Sequence, residues 1–267
     1  MVFAKPRNAK HPLRLLSGVV PLFVVLVQAS SSQAPETFSQ ALTRHHIALT
    51  KPALLMALED SDKEVRGLAA AELAEMKAVD TIPEIMRAAE AEKEGLTQVN
   101  IASAATWMGS SEGLGLLKKL CREPSLSPYA RQSAARTVFD KGDHACFTEI
   151  ADMMRPSFDP GTRIGALYLL SQLHDRTEEE TKLVLERLVV ALSDPESQMR
   201  LEACQGLRWL HDAGAVEPLR AAIANEHEEL TRTEMQSVLE FLLNQSRNTR
   251  SGRLRKTQFC PGPMLEK

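Results

Sequence analysis

The sequence predicts an all-α fold, an α-solenoid of about six stacked helix–turn–helix repeats, on three observations. Apolar residues recur at helical spacing, and no run alternates polar and apolar long enough to build a sheet. Aromatic residues make up only 4% of the chain while Ala and Leu recur throughout, a composition suited to thin, closely packed helices. A single pattern of small and apolar residues also returns every 31 to 37 residues, the period of a repeat array.

The N-terminus reads as an address. Lys5, Arg7, Lys10 and Arg14 form a basic region, Leu15 to Val27 is apolar, and Val27-Gln28-Ala29 offers small residues for cleavage after Ala29. This is the three-part layout of a secretory signal over residues 1–29, which predicts a secreted or periplasmic protein. The apolar stretch falls short of the roughly 20 residues a membrane span needs. Retained as an anchor, it would make the protein a membrane-tethered organiser. Residues 30–46 read as a linker and N-terminal cap.

The solenoid is expected over residues 47–246. Markers placed at Arg66, Asn100, Arg131, Arg163, Arg200 and Arg232 are followed at three and four residues by mostly small side chains, such as Ala69-Ala70 and Ala134-Ala135. Seven residues on stand Leu73, Trp107, Val138, Leu170, Leu207 and Leu239. Offsets of three, four and seven share one helix face, so this is a buried stripe with Trp107 in it. Six residues before the markers come Asp60, Glu94, Ser125, Ser157, Asp194 and Glu226, expected at the helix N-caps. A first helix precedes each such site. Examples run from Pro52 to Leu58, Pro83 to Ala89 and Pro218 to Ile223, with proline in the first turn, where its missing N–H costs nothing.

The segment from Asp60 through Val65, Arg66, Ala69 and Ala70 to Leu73 resembles the second-helix motif of HEAT repeats. The likeness is closest to the short variety first noted in phycobilisome lyases. Asp194 through Arg200 and Ala203 to Leu207, followed by Ala215 to Leu219, resembles it again. The resemblance implies that the recurring Arg and the acid before it stack into a ladder along the array, broken at Asn100. It also raises a lyase-type or cofactor-handling enzyme as the alternative function, although the repeats alone carry no such chemistry.

The remaining signals exclude more than they assign. Residues 30–246 hold 22 basic and 34 acidic side chains, near −12 net, which repels phosphate backbones and argues against nucleic acid as the solenoid's partner. The tail 247–267 is basic and reads as a disordered end. Its alternative is a contact with anionic lipid or nucleic acid. Cys204 falls in a helical core pattern, Cys260 lies in the tail, and Cys121 and Cys146 could pair in an oxidising compartment. His45-His46 and His144-Ala145-Cys146 lack metal-site spacing, Gly113 and Gly115 suit a tight turn at a repeat junction, and Glu178 to Glu180 suit an acidic first helical turn. No GxSxG elbow or phosphate loop is present. The expectation is a chain with no cofactor, no metal and no catalytic site.

The candidate site lies opposite the buried stripe. Offsets of −2, +2, +5 and +9 from each marker share that outer side of the second helix. In the third to fifth repeats they place Tyr129, Arg136, Tyr168, Gln172, Glu202, Gln205 and Trp209 there. HEAT arrays line their concave surface with second helices, so the resemblance makes this a protein- or peptide-binding groove. Tyr, Trp and Arg are the residue types that dominate binding hot spots.

Overall fold

The computed structural model describes residues 36–250, with side chains through Gln245. The signal-like segment, the start of the linker, Cys260 and the end of the basic tail lie outside the described residues. A short cap helix, α1 (Phe38–Arg44), opens the array. Six helix pairs follow: α2 (Lys51–Ala57) with α3 (Lys63–Glu75), α4 (Ile82–Ala91) with α5 (Gly95–Trp107), α6 (Ser111–Leu120) with α7 (Pro128–Asp140), α8 (Phe147–Asp152) with α9 (Pro160–Ser171), α10 (Glu178–Ala191) with α11 (Ser197–Leu210), and α12 (Val216–Asn225) with α13 (Glu229–Arg250). No strand occurs among the described residues. The fold is the all-α solenoid the periodicity predicts. Helix α13 continues past residue 246, so the first residues assigned to the tail are helical.

Local chemistry places these boundaries. Four of the second helices, α3, α5, α7 and α9, begin at side-chain caps: Asp62 accepts from the Glu64 N–H, Glu94 from Thr97, Ser127 from Ala130 and Asp159 from Thr162. Helix α10 opens with a full capping box, in which Thr177 and Glu180 each accept the other's backbone N–H. The chain leaves these helices through left-handed residues: Lys77 after α3, Gly109 after α5, Gly142 after α7, Asp175 after α9 and His211 at the end of α11. A left-handed residue ends the helical hydrogen-bond run and turns the chain toward the next pair.

The caps correct the repeat register. In α3, α7, α9, α11 and α13 the fourth helical residue is the marker arginine, but the fourth residue of α5 is Gln98. Asn100 is therefore two positions late. With Gln98 as the marker, position +7 holds Leu73, Ala105, Val138, Leu170 and Leu207, all fully buried. Trp107 moves out of the stripe and stands exposed, contrary to its expected place in the core. The capping residues sit four before the marker, and Glu94 joins Asp62, Ser127 and Asp159 there. The −6 position, expected to cap, holds Asp60, Glu92, Ser125, Ser157, Asp194 and Glu226 and has a different task. Gly113 and Gly115 also prove to be helical, within α6, instead of forming a turn.

That task is the ladder. Arg66 pairs bidentately with Glu92 of the next repeat, Nε to Oε2 at 2.6 Å and Nη2 to Oε1 at 2.9 Å. It also donates to the Asp60 carbonyl. Arg200 repeats the arrangement with Glu226 at the same distances and donates to the Asp194 carbonyl. Arg163 pairs with Asp194, both side chains almost wholly buried. Each acid also accepts backbone N–H groups at its own turn: Glu92 from Lys93 and Glu94, Asp194 from Glu196, and Glu226 from His227 and Glu228. The carboxylates thus hold a turn and the preceding helix together. The ladder is missing where Gln98 and Arg131 face the serine positions of the third and fourth repeats. There Gln98 donates to the Ala89 carbonyl and Arg131 to that of Cys121.

At the second of these gaps a disulfide takes over. Cys121, the C-cap of α6, is bonded to Cys146, the N-cap of α8, and both are fully buried. Gln132 reinforces the joint by donating to the Thr162 carbonyl at 2.8 Å. Its amide oxygen occupies the space a side chain on Gly165 would need, 2.4 Å from an ideal Cβ. The core consists of Ala, Leu, Val, Ile and Met from both layers. Second helices pack directly on one another, while first helices touch each other far less. Small buried residues such as Ala69, Ala102, Ala135, Ala166 and Ala203 permit that approach. The second helices therefore form the inner, more closely spaced layer.

Candidate functional site

The inner layer presents the offset face predicted from the sequence. Tyr129, Tyr168 and Trp209 are 67%, 50% and 64% exposed. They occupy positions −2, +5 and +9 on α7, α9 and α11. At a rise of about 1.5 Å per residue they descend the face on a diagonal across three neighbouring helices. Arg136 and Gln172 are also exposed on this face. Arg136 lies over the Tyr168 ring, with its guanidinium carbon 5.8 Å from the centroid, so α7 and α9 are joined across the face as well as through the core. Gln205 and Glu202 are half-buried, and Gln205 donates to Glu234 on α13. The structure thus brings Arg136 and Tyr168 together, sets Gln172 one turn beyond Tyr168, and gives Gln205 a structural bond between helices.

The corrected register adds residues that sequence reasoning missed. Trp107 is 58% exposed and, at +9 from Gln98, is the positional equivalent of Trp209. Lys141, the C-cap of α7, reaches back over its ring at 5.0 Å from the centroid. Phe241 holds the same +9 position on α13 and lies beneath Arg208 at 5.1 Å. The signal that would have found Trp107 is the capping spacing, because Glu94 falls four residues before Gln98 and six before Asn100. Asp140, at +9 on α7, completes the central patch. Burial raises its carboxyl above the ordinary range, while the nearby Arg136 and Lys141 charges pull it down.

At the N-terminal end of the same face the inner layer deepens into a groove of about 1060 Å³. Its lining includes the small residues Gly67, Ala71 and Ser103 and the apolar residues Phe38, Leu68, Leu96 and Trp107. The groove and patch are continuous through Trp107.

Among the described residues no group of three His, Cys, Asp or Glu side chains is placed to hold a metal ion. His144 contacts Glu180 at 2.9 Å, a link between the turn before α8 and the first turn of α10. Cys204 is buried, and desolvation pushes its thiol up to about 12, which removes thiolate reactivity. No helix among the described residues is long and apolar enough to cross a membrane.

Among curated proteins none matches the chain. Residues 51–138, from the start of α2 into the last turn of α7, match the family model of HEAT repeats, and the all-helical array they open is the architecture such repeats build.

Proposed function

We propose that this protein is a non-catalytic scaffold that binds a protein or peptide on the inner face of its solenoid, in the periplasm or extracellular space. The observation that carries the reading is the exposure of Tyr129, Tyr168 and Trp209 on one face of successive second helices. Exposed large aromatics aligned on one face of a fold mark contact surfaces, because their burial against a partner supplies area with little side-chain entropy to lose. HEAT repeats are commonly protein-interaction scaffolds, which supports the same reading. The Cys121–Cys146 bond supports an oxidising compartment, in agreement with the signal-like N-terminus.

The test is affinity capture of crosslinked partners from the exporting host's periplasmic or culture fraction, with Tyr168→Ala and Trp209→Ala compared against the parent. Each truncation should weaken the partner by roughly 1–2 kcal/mol while far-UV circular dichroism stays unchanged. Unchanged recovery in both variants, or loss of fold in both, would return these aromatics to a packing role.

A further inference from the structure

At the centre of the inner face two exposed cations lie over aromatic rings without a carboxylate partner among the described residues. Most cations of the solenoid are committed to acids: Arg66 to Glu92, Arg163 to Asp194, Arg200 to Glu226, Lys118 to Asp143 and Arg122 to Glu149. Arg136 and Lys141 are not. Among the described residues neither has a carboxylate within ion-pair distance, although Asp140, next to Lys141 and one helical turn from Arg136, feels the charge of both. Each lies instead over an aromatic ring supplied by a neighbouring helix, Arg136 on Tyr168 of α9 and Lys141 on Trp107 of α5. Both cations are exposed.

This arrangement has a consequence for what can dock. A guanidinium resting on a ring keeps its N–H edge outward and has already lost part of its side-chain freedom, so less entropy remains to be lost when it takes an acceptor. A cationic segment would meet Arg136 and Lys141 head-on. A long polyanion would meet two favourable cations but also a body near −12, which opposes nucleic acid and anionic membrane alike. A short segment with a few well-placed carboxylates satisfies the patch without engaging the acidic body. The ring surfaces of Trp107 and Tyr168 offer apolar contact on either side of the cations.

We propose that the inner face over α5, α7 and α9 receives an acidic peptide segment, whose carboxylates pair with Arg136 and Lys141 while its apolar side chains rest on Trp107 and Tyr168. This rests on the inner-face binding reading and specifies its partner. The single acid of the patch, Asp140, sits between the two cations along α7 and selects for a backbone N–H or hydroxyl at that point of the ligand, where a third carboxylate would be repelled.

The experiment titrates the full mature chain into three fluorescent peptides that alternate Leu with Glu, Gln or Lys, read by anisotropy. A phosphatidylglycerol vesicle and an oligothymidylate serve as competing polyanions. The Glu peptide should bind about ten-fold or more tighter than the Gln peptide and weaken as salt rises. Arg136→Gln and Lys141→Gln should each cost about ten-fold, while Lys182→Gln, the same charge change on the exposed side of α10, should leave binding unchanged. Far-UV circular dichroism verifies the fold of each variant. Equal binding of the Gln peptide that is lost in Tyr168→Ala would keep the inner face as a docking surface and overturn its preference for acid. Acidic-peptide binding that survives both Arg136→Gln and Tyr168→Ala would place the anion elsewhere and overturn the proposal. Tighter binding of either polyanion or of the Lys peptide, or no binding of any peptide, would overturn it as well.

Discussion

Removing the Cys121–Cys146 bond tests how the middle of the array is held. The bond joins residues 25 apart in sequence, and both sulfurs are fully buried at the joint between α6 and α8. Closing a loop of that length removes about 3.5 kcal/mol of unfolded-state entropy at 25 °C on the chain-entropy account. Other contacts span the same joint, notably Arg122 with Glu149 and with the Ala145 carbonyl, but a half-exposed ion pair contributes under about 1 kcal/mol. No ladder pair substitutes, because Arg131 finds only the Cys121 carbonyl. The double variant Cys121→Ala/Cys146→Ala should therefore lose about 3–4 kcal/mol in urea unfolding followed by circular dichroism. Alanine is the right replacement, since serine would bury two hydroxyl groups in an apolar site. Wild-type protein fully reduced before refolding should unfold close to the double variant. A loss below about 1 kcal/mol in the double variant would refute the account of the disulfide as the stand-in for the missing ladder rung.

The ladder itself makes two further predictions. Arg163→Ala should cost about 3–5 kcal/mol, because it leaves Asp194 buried without its cation, whereas Arg131→Ala should cost only about 1 kcal/mol for one backbone hydrogen bond; comparable urea midpoints for the two would show that the rungs do not matter. The Arg200 hydrogen bonds hold the Glu226 carboxyl at about 2, against an ordinary 4.5, so its contribution is fully present above pH 4.5 and disappears as the pH falls toward 2. Discounted for screening, that contribution is about 1–3 kcal/mol, and Glu226→Gln should flatten the loss of stability across this window; a variant with the parent's acid dependence would contradict the assignment.

The repeat and its period were legible in the sequence because a buried helix stripe must recur at three, four and seven residues whatever its neighbours do. Leu73, Val138, Leu170 and Leu207 stand where that rule places them, and so do Tyr129, Tyr168 and Trp209 on the opposite side. The rule failed at one repeat. In α5, polar Gln98 occupies the arginine's position and Ala105 the leucine's, so composition favoured a frame that buried Trp107. A tryptophan is a strong apolar signal in one dimension, yet its burial depends on which side of the helix meets the next. The Glu94 cap fixes that by setting where the helix begins.

What the sequence determined by itself is the fold class, the run of helix pairs and the outward aromatic face, all of which follow from local periodicity and capping. Tertiary structure alone decided the pairings. The sequence holds the arginines and acids of the ladder but not which repeat each reaches, and two core-compatible cysteines but not their bond. The placement of Arg136 over Tyr168 and Lys141 over Trp107 belongs with these. Each joins residues on different helices whose separation depends on how closely the small-residue faces of α5, α7 and α9 approach, and that distance is a property of packing, carried by no single segment of the chain.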